Sequence, residues 1–213
     1  MRYAPLRLDG DNGLLRLLPI NSKEVNVYQV RLHGRGGQGV VTAAEMLSVA
    51  AFMEGHFAQA FPSFGSERTG APVVAFARID DKEIRLREPI EEPDVVLVQD
   101  PTLLEQIDVC GGLRKDGYLL INSEHSPEEL GLQKVMAYLP CGHVRTVPAT
   151  RFAIEKLGRS LPGAAMLAGY AAMTGNLKLE SVQAAYGERF SGKIAQANAE
   201  VARLAYEFLT QKQ

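Results

Sequence analysis

Four glycines fall within six positions, Gly34, Gly36, Gly37 and Gly39, in the stretch HGRGGQGVVTAAEML. Glycine loses more backbone freedom on folding than any other residue. A cluster this dense marks main chain that turns sharply or approaches another group closely. Before it, VNVYQVRLHG is apolar and rich in β-branched residues, and reads as a strand ending at Gly34. After it, VVTAAEMLSVAAFMEG places Val40, Ala44, Leu47 and Ala51 on one helical face, with Gly55 as terminator. The glycines therefore occupy a strand-to-helix turn, which commits this part of the chain to a β–α unit.

The same alternation continues. HFAQAFPSF reads as a short strand broken at Pro62, GSERTGAP as a polar loop, and VVAFARI as a strand with a turn at Asp80-Asp81. PDVVLVQD and GYLLINS are uninterrupted apolar runs, as expected of strands buried on both faces, with a helix in TLLEQIDVC between them. KVMAYLP and HVRTVPA fit two shorter strands, or one strand and a loop. From Ala149 onward the period is helical. ATRFAIEKLG has Thr150 as N-cap and Gly158 as stop. GAAMLAGYAAMTG suits a buried helix, and LESVQAAYGERF and IAQANAEVARLAYEFLTQ complete the set, the last with Ala195, Ala199, Ala202 and Ala205 on one face. The expected fold is α/β, a mainly parallel Rossmann-like sheet with flanking helices and a C-terminal helical segment. Residues 1–24 lack a clear period and read as an N-terminal extension, in which LLRLLPI fits a short strand or a contact with another chain. Residues 25–213 form the domain proper.

Composition narrows the function classes. With a formal charge of -2 in 213 residues, no broad basic field invites nucleic acid or an anionic membrane. No apolar run approaches the roughly 20 residues that span a bilayer, and the charged start MRYAPLRLDGDNG does not read as a signal peptide. A cytoplasmic location is expected. Two cysteines, Cys110 and Cys141, belong to no C-x-x-C pair, so this chain alone lacks the thiolates for an iron–sulfur cluster or structural zinc. No catalytic residue and no metal ligand stands out. The four histidines lack ligand spacing, and no nucleophile has an evident base.

Gly34, Gly36 and Gly39 satisfy G-x-G-x-x-G between a strand and a helix, a context in which free amides and the helix dipole favour a diphosphate. NAD binding also needs an acid at the tip of the second strand, and HFAQAF offers none. A P-loop needs Lys-Ser or Lys-Thr after the glycines, also missing here. Arg35 is suited to pairing with phosphate oxygens, and Gln38 and Thr42 to neutral hydrogen bonds. The second polar loop, PSFGSERTGAP, brings Ser66, Arg68 and Thr69 to the same expected crevice, at the carboxyl ends of the strands. Two arginine-bearing loops point to several phosphates rather than a single small acid. Three readings remain open: a polyphosphate site, a stand-alone Rossmann-like NAD(P) or flavin oxidoreductase, and a structural subunit whose loops touch other chains.

GRGGQGVVTAAEML, FPSFGSERTGAPVVAFARI, VVLVQDPTLL and GYLLINS follow one another here as they do in the gamma subunits of 2-oxoacid:ferredoxin oxidoreductases. The resemblance is to the pyruvate synthase or pyruvate:ferredoxin oxidoreductase family, phenylglyoxylate-type enzymes included. It covers about residues 26–208, and Asn198 matches an Asn that recurs near the family's C-terminus. The resemblance implies oxidative decarboxylation of a 2-oxoacid to acyl-coenzyme A and CO2, by a complex of this gamma-type domain with alpha, beta and delta-type subunits. It implies thiamine diphosphate, Mg and [4Fe-4S] clusters on those partners, and ferredoxin or another acceptor for the electrons. For this chain it implies coenzyme A binding and closure of the active site. The residues carried over are Gly34, Arg35, Gly36, Gly37, Gln38, Gly39 and Thr42 in the first loop, and Ser66, Glu67, Arg68, Thr69 and Gly70 in the second. Two positions depart from the pattern. Thr69 stands where many relatives have a second Arg, and Gly163 where many have Asn.

Overall fold

The computed structural model describes residues 27–63 and 69–211. The extension expected over residues 1–24 lies outside the described residues. A sheet of six strands has the order β2-β3-β1-β4-β5-β6, with β1 Tyr28–Arg35, β2 Phe57–Pro62, β3 Pro72–Asp80, β4 Val95–Val98, β5 Tyr118–Asn122 and β6 Val144–Val147. β1, β4, β5 and β6 pair in parallel, and β3 alone runs against its neighbours, antiparallel to both β1 and β2. The mainly parallel α/β expectation therefore holds. β3 adds one feature not foreseen: it returns antiparallel to β2, so the polar loop expected between these two strands is a hairpin connection.

The helices are α1 Val40–Met53, α2 Gln133–Tyr138, α3 Ala149–Leu157, α4 Gly163–Thr174, α5 Leu179–Arg189 and α6 Gly192–Thr210. Period-two alternation sends Val30 and Leu32 of β1, Val95 and Leu97 of β4 and Leu120 of β5 into one core with α1, α4, α5 and α6. Val96, Val98, Leu119 and Ile121 point the other way, onto Leu103, Val109, Leu132 and Leu139. This two-sided burial explains why β4 and β5 read as unbroken apolar runs. α4 is buried along residues 163–171, and its small side chains allow the close approach. A Cβ on Gly169 would lie 2.6 Å from Leu120 Cδ2 and 3.0 Å from Leu209 Cδ1.

Three local expectations change. KVMAY is helical, not extended. Met136 N donates to Leu132 O at 2.9 Å and Leu139 N to Val135 O at 3.0 Å, and Val135, Met136 and Leu139 meet the second core at helical spacing. TLLEQIDVC keeps only a 3-10 turn, Pro101–Glu105, capped by Asp100 through Thr102 N. Thr150 is not the N-cap of α3. It sits inside the helix, where its N donates to Asn122 Oδ1 of β5 at 2.9 Å, and Asn122 Nδ2 donates to Thr150 Oγ1 at 2.7 Å. Gly158 ends α3 in the left-handed conformation, φ 67°, as expected of a stop. No helix among the described residues is long and apolar enough to cross a membrane.

Candidate functional site: a glycine cleft at the end of strand β1

Because β3 starts where β1 ends, Arg35 pairs with Pro72 and the hairpin loop is carried against the glycine turn. Gly36 N donates to Ala71 O at 2.9 Å, Gly70 N donates to Gly36 O at 3.0 Å, and Gly36 and Thr69 form an isolated parallel bridge. The two loops are thus one main-chain unit at Thr69 and Gly70. Ser66, Glu67 and Arg68 lie outside the described residues.

The glycines do different work. Gly34 is buried packing: a Cβ there would lie 2.6 Å from Val40 Cγ2 and 3.2 Å from Gln99 Cβ, so its absence lets β1 meet the start of α1. Gly37 and Gly39 adopt φ of 97° and 75°, which L side chains take only with strain, and open space surrounds Gly37. Gly39 is the N-cap of α1, with no side-chain cap. The first bond of the helix runs from Ala43 N to Gly39 O at 2.9 Å, so the amides of Val40, Val41 and Thr42 precede any i−4 acceptor. They border a cleft of about 460 Å³ that Arg35, Gly36, Gly37, Gly39, Thr69 and Leu161 also line. Free amides at the positive end of a 14-residue helix would favour an anion here.

Arg35 and Gln38 face inward more than sequence suggests. Arg35 Nε lies 3.2 Å from Asp100 Oδ2, its Nη1 donates to Gly70 O at 3.1 Å, and its Nη2 donates to Thr102 Oγ1 at 2.6 Å and Gln106 Oε1 at 3.1 Å. Four of the five guanidinium donors are engaged within the chain. Gln38 accepts from Arg35 N at 2.8 Å and donates to Asp100 Oδ2 at 2.8 Å. Burial pushes the Asp100 carboxyl up, yet the hydrogen bonds from Thr102 and Gln38 and the Arg35 charge outweigh it and hold the group below its ordinary range. Asp100 is the brace of the turn. Sequence reading took it only as the end of a strand, because its partners at 35 and 38 lie sixty-odd positions away.

His33, at the end of β1, is 5% exposed and accepts from Arg31 Nε at 3.1 Å. Burial first, and the Arg31 charge second, push its pKa down to about 4, so the ring is neutral near pH 7. Among the described residues no three His, Cys, Asp or Glu side chains form a group that could hold a metal. A larger hollow, about 560 Å³, lies over β5 and β6, but it suits an anion poorly. Its Arg151 is paired with Glu124 at 2.9 Å, Arg145 donates to Leu209 O at 3.2 Å, and Glu128 and Glu129 add negative charge. The Gly163 departure also has a physical counterpart. A Cβ there would lie 2.6 Å from Tyr186 Oη, so a phenol hydroxyl occupies the space a side chain would need.

Comparison with known proteins gives the family. Residues 29–208 match the family described as pyruvate ferredoxin/flavodoxin oxidoreductase. The chain is 50% identical over 181 residues to the pyruvate/ketoisovalerate oxidoreductases common subunit gamma of Pyrococcus abyssi, covering 85% of this chain and 96% of that protein. It is 47% identical over 186 residues to pyruvate synthase subunit PorC of Methanocaldococcus jannaschii, covering 87% and 99%. The crystal structure of pyruvate oxidoreductase subunit PORC from Thermotoga maritima superposes with a TM-score of 0.71 at 35% identity, over 85% of this chain and 96% of that one. The chain therefore belongs to the pyruvate ferredoxin/flavodoxin oxidoreductase family, as a gamma subunit of a pyruvate or 2-oxoacid:ferredoxin oxidoreductase complex.

Proposed function

We propose that this gamma subunit holds coenzyme A for the complex, within residues 25–213, and helps close the active site over the 2-oxoacid-derived intermediate. The observation that carries the reading is the cleft itself: unpaired amides at residues 40–42, two left-handed glycines and Thr69, all opening on one space of about 460 Å³. Coenzyme A presents a diphosphate, and a diphosphate is the charge such a helix terminus accepts. The amides of Gly37 and of residues 39–42, with the Thr42 and Thr69 side chains, form the cradle; that of Gln38 is held within the turn by Arg35 O at 3.1 Å. Ser66 and Arg68, in the second loop, are the further ligand contacts that the resemblance implies. Gly34, Arg35, Gly36 and Gln38 shape it from behind, the Arg35 and Gln38 side chains through Asp100. Thiamine diphosphate with Mg and the [4Fe-4S] clusters supply decarboxylation and electron transfer from the alpha, beta and delta-type partners, and ferredoxin or a related acceptor takes the electrons. This chain contributes position. Holding a second substrate in reach of a reacting centre is worth several orders of magnitude in rate. The free thiols Cys110 and Cys141 fit a reducing cytoplasm.

The test is Gly37→Ala in the assembled complex, assayed with a panel of 2-oxoacids. A methyl at φ 97° strains the turn and redirects its amides. The expected result is a KM for coenzyme A raised about tenfold, from loss of one or two charge-assisted hydrogen bonds, with the KM for the 2-oxoacid unchanged. An unchanged KM for coenzyme A would overturn the reading.

A further inference from the structure

A small hollow, about 170 Å³, opens at the other end of the sheet from the glycine cleft. β1 begins there at Tyr28 and reaches Arg35 about 23 Å away, at roughly 3.3 Å per residue. Tyr28 pairs with Ile79, and Ile79 with Ala58, so the start of β1, the end of β3 and the start of β2 frame this space. The Tyr28 and Tyr170 rings form its inner wall, their centroids 6.3 Å apart and their planes tilted by 53°. His56, Asp80, Asp81 and Asn176 surround the mouth. Both phenol hydroxyls are buried, and among the described residues neither has a hydrogen-bond partner. Tyr170 is 0% exposed. Burial above all pushes both phenols above their ordinary value, so both stay protonated and each oxygen keeps a lone pair for an incoming N–H. Phenylalanine would fill the same room without leaving a polar atom unsatisfied. Two such hydroxyls on one hollow call for a polar ligand.

Charge selects the ligand's sign. Asp80 and Asp81 are the carboxylates of the hollow, and His56 is the one basic group among its lining residues, with Nδ1 2.9 Å from Asp81 Oδ1. Farther out, Asp94, Asp116 and Glu54 also act on the two phenols. Asp94 is paired with Arg114 at 3.0 Å, and Glu54 accepts from Lys178 N at 2.7 Å. An anion is repelled here, and among the described residues no three His, Cys, Asp or Glu side chains gather to hold a metal ion. A positive group that donates through N–H satisfies the phenol oxygens, the carboxylates and the ring faces together. Size sets the rest. At roughly 30 Å³ for each water-sized group, the space takes about five or six heavy atoms. We propose that this hollow is a binding site, separate from the glycine cleft, for a short primary alkylammonium ion, the Tyr28 and Tyr170 oxygens accepting its N–H groups and Asp80 and Asp81 balancing its charge.

The experiment is amide hydrogen exchange on the assembled complex at constant ionic strength. The probe is n-butylammonium chloride, with sodium chloride and tetramethylammonium chloride as controls. Exchange at residues 56–57, 79–81 and 176–178 is expected to slow with butylammonium alone, because sodium and tetramethylammonium carry no N–H. Tyr170→Phe is expected to raise the half-saturating butylammonium concentration roughly 3- to 10-fold through one lost hydrogen bond, and Asp81→Asn to raise it similarly through lost charge. The Phe variant also separates a ligand contact from a structural one. The Tyr170 hydroxyl bonds nothing in the chain, so the urea unfolding midpoint of Tyr170→Phe should equal or exceed that of wild type. Equal slowing by all three salts, or by none, overturns the site. A half-saturating concentration unmoved by both substitutions does the same, as does a lowered midpoint for Tyr170→Phe, which would place the hydroxyl's partner inside the protein.

Discussion

Replacing Arg35 separates a phosphate ligand from a structural clamp. Its guanidinium ties Asp100, Thr102, Gln106 and the Gly70 carbonyl to the glycine turn, and the Arg35 and Asp100 side chains are 22% and 14% exposed. Hydrogen bonds to a charged group contribute about 1.5–3 kcal/mol each when buried, and less where water reaches the pair. Arg35→Ala removes four such contacts and leaves a half-braced carboxylate. A loss of about 2–4 kcal/mol is expected, and a drop in melting temperature of roughly 5–12 °C for a chain of this size. Arg35→Lys is the discriminating control. Lys keeps the charge but not the fork that reaches four acceptors. The clamp reading predicts that Lys destabilises nearly as much as Ala, and that the KM for coenzyme A rises in both because the turn slackens. The measurements are denaturant unfolding of the full-length chain and steady-state kinetics of the complex. An Ala variant with an unchanged unfolding midpoint and a tenfold higher KM for coenzyme A, rescued by Lys, would refute the reasoning.

Gly34→Ala drives a Cβ to 2.6 Å from Val40 Cγ2, and should cost about 1–3 kcal/mol of stability in urea titrations without needing any ligand to explain it. Asn122→Ala removes the tie from β5 to the Gln99 carbonyl and to Thr150, and should lower stability by about 1–3 kcal/mol by the same assay. His33 has a folded pKa of about 4, below its unfolded value, so the unfolded chain binds the extra proton as pH falls. Its contribution is intact above about pH 6.5 and is lost on acidification towards 4; between pH 7 and 5 it should cost about 2 kcal/mol. Unfolding free energies of wild type and His33→Asn at the two pH values check this, the variant losing that part of the slope.

Local order was legible where each residue's neighbours in sequence were also its neighbours in space. VVLV and YLLIN read as buried strands because both sheet faces are covered, and Gly158 as a stop because a left-handed residue ends α3. The glycine turn was legible for the same reason: strand, turn and helix are consecutive. What escaped depends on long-range contact. Nothing near Arg35 indicates that Asp100, Thr102 and Gln106 will surround it, so it read as a cation free for phosphate. The reversed direction of β3 was legible but not used: the nine residues between Pro62 and Pro72 are fewer than the dozen or so that a parallel crossover needs. KVMAY is short enough for its apolar residues to fit two periods, and the packing of Leu132 and Leu139 decides between them. Tyr186 reads as an ordinary helical aromatic until the missing Cβ of Gly163 shows where its hydroxyl sits.

The claim beneath all of this is that main-chain amides at Gly37 and residues 39–42 hold the diphosphate of coenzyme A. Amide hydrogen exchange over that segment, measured in the assembled complex with and without saturating coenzyme A, reads those groups themselves. Exchange at 37–42 should slow markedly when coenzyme A binds. Equal exchange in the two states, while the same coenzyme A concentration saturates turnover, would contradict it.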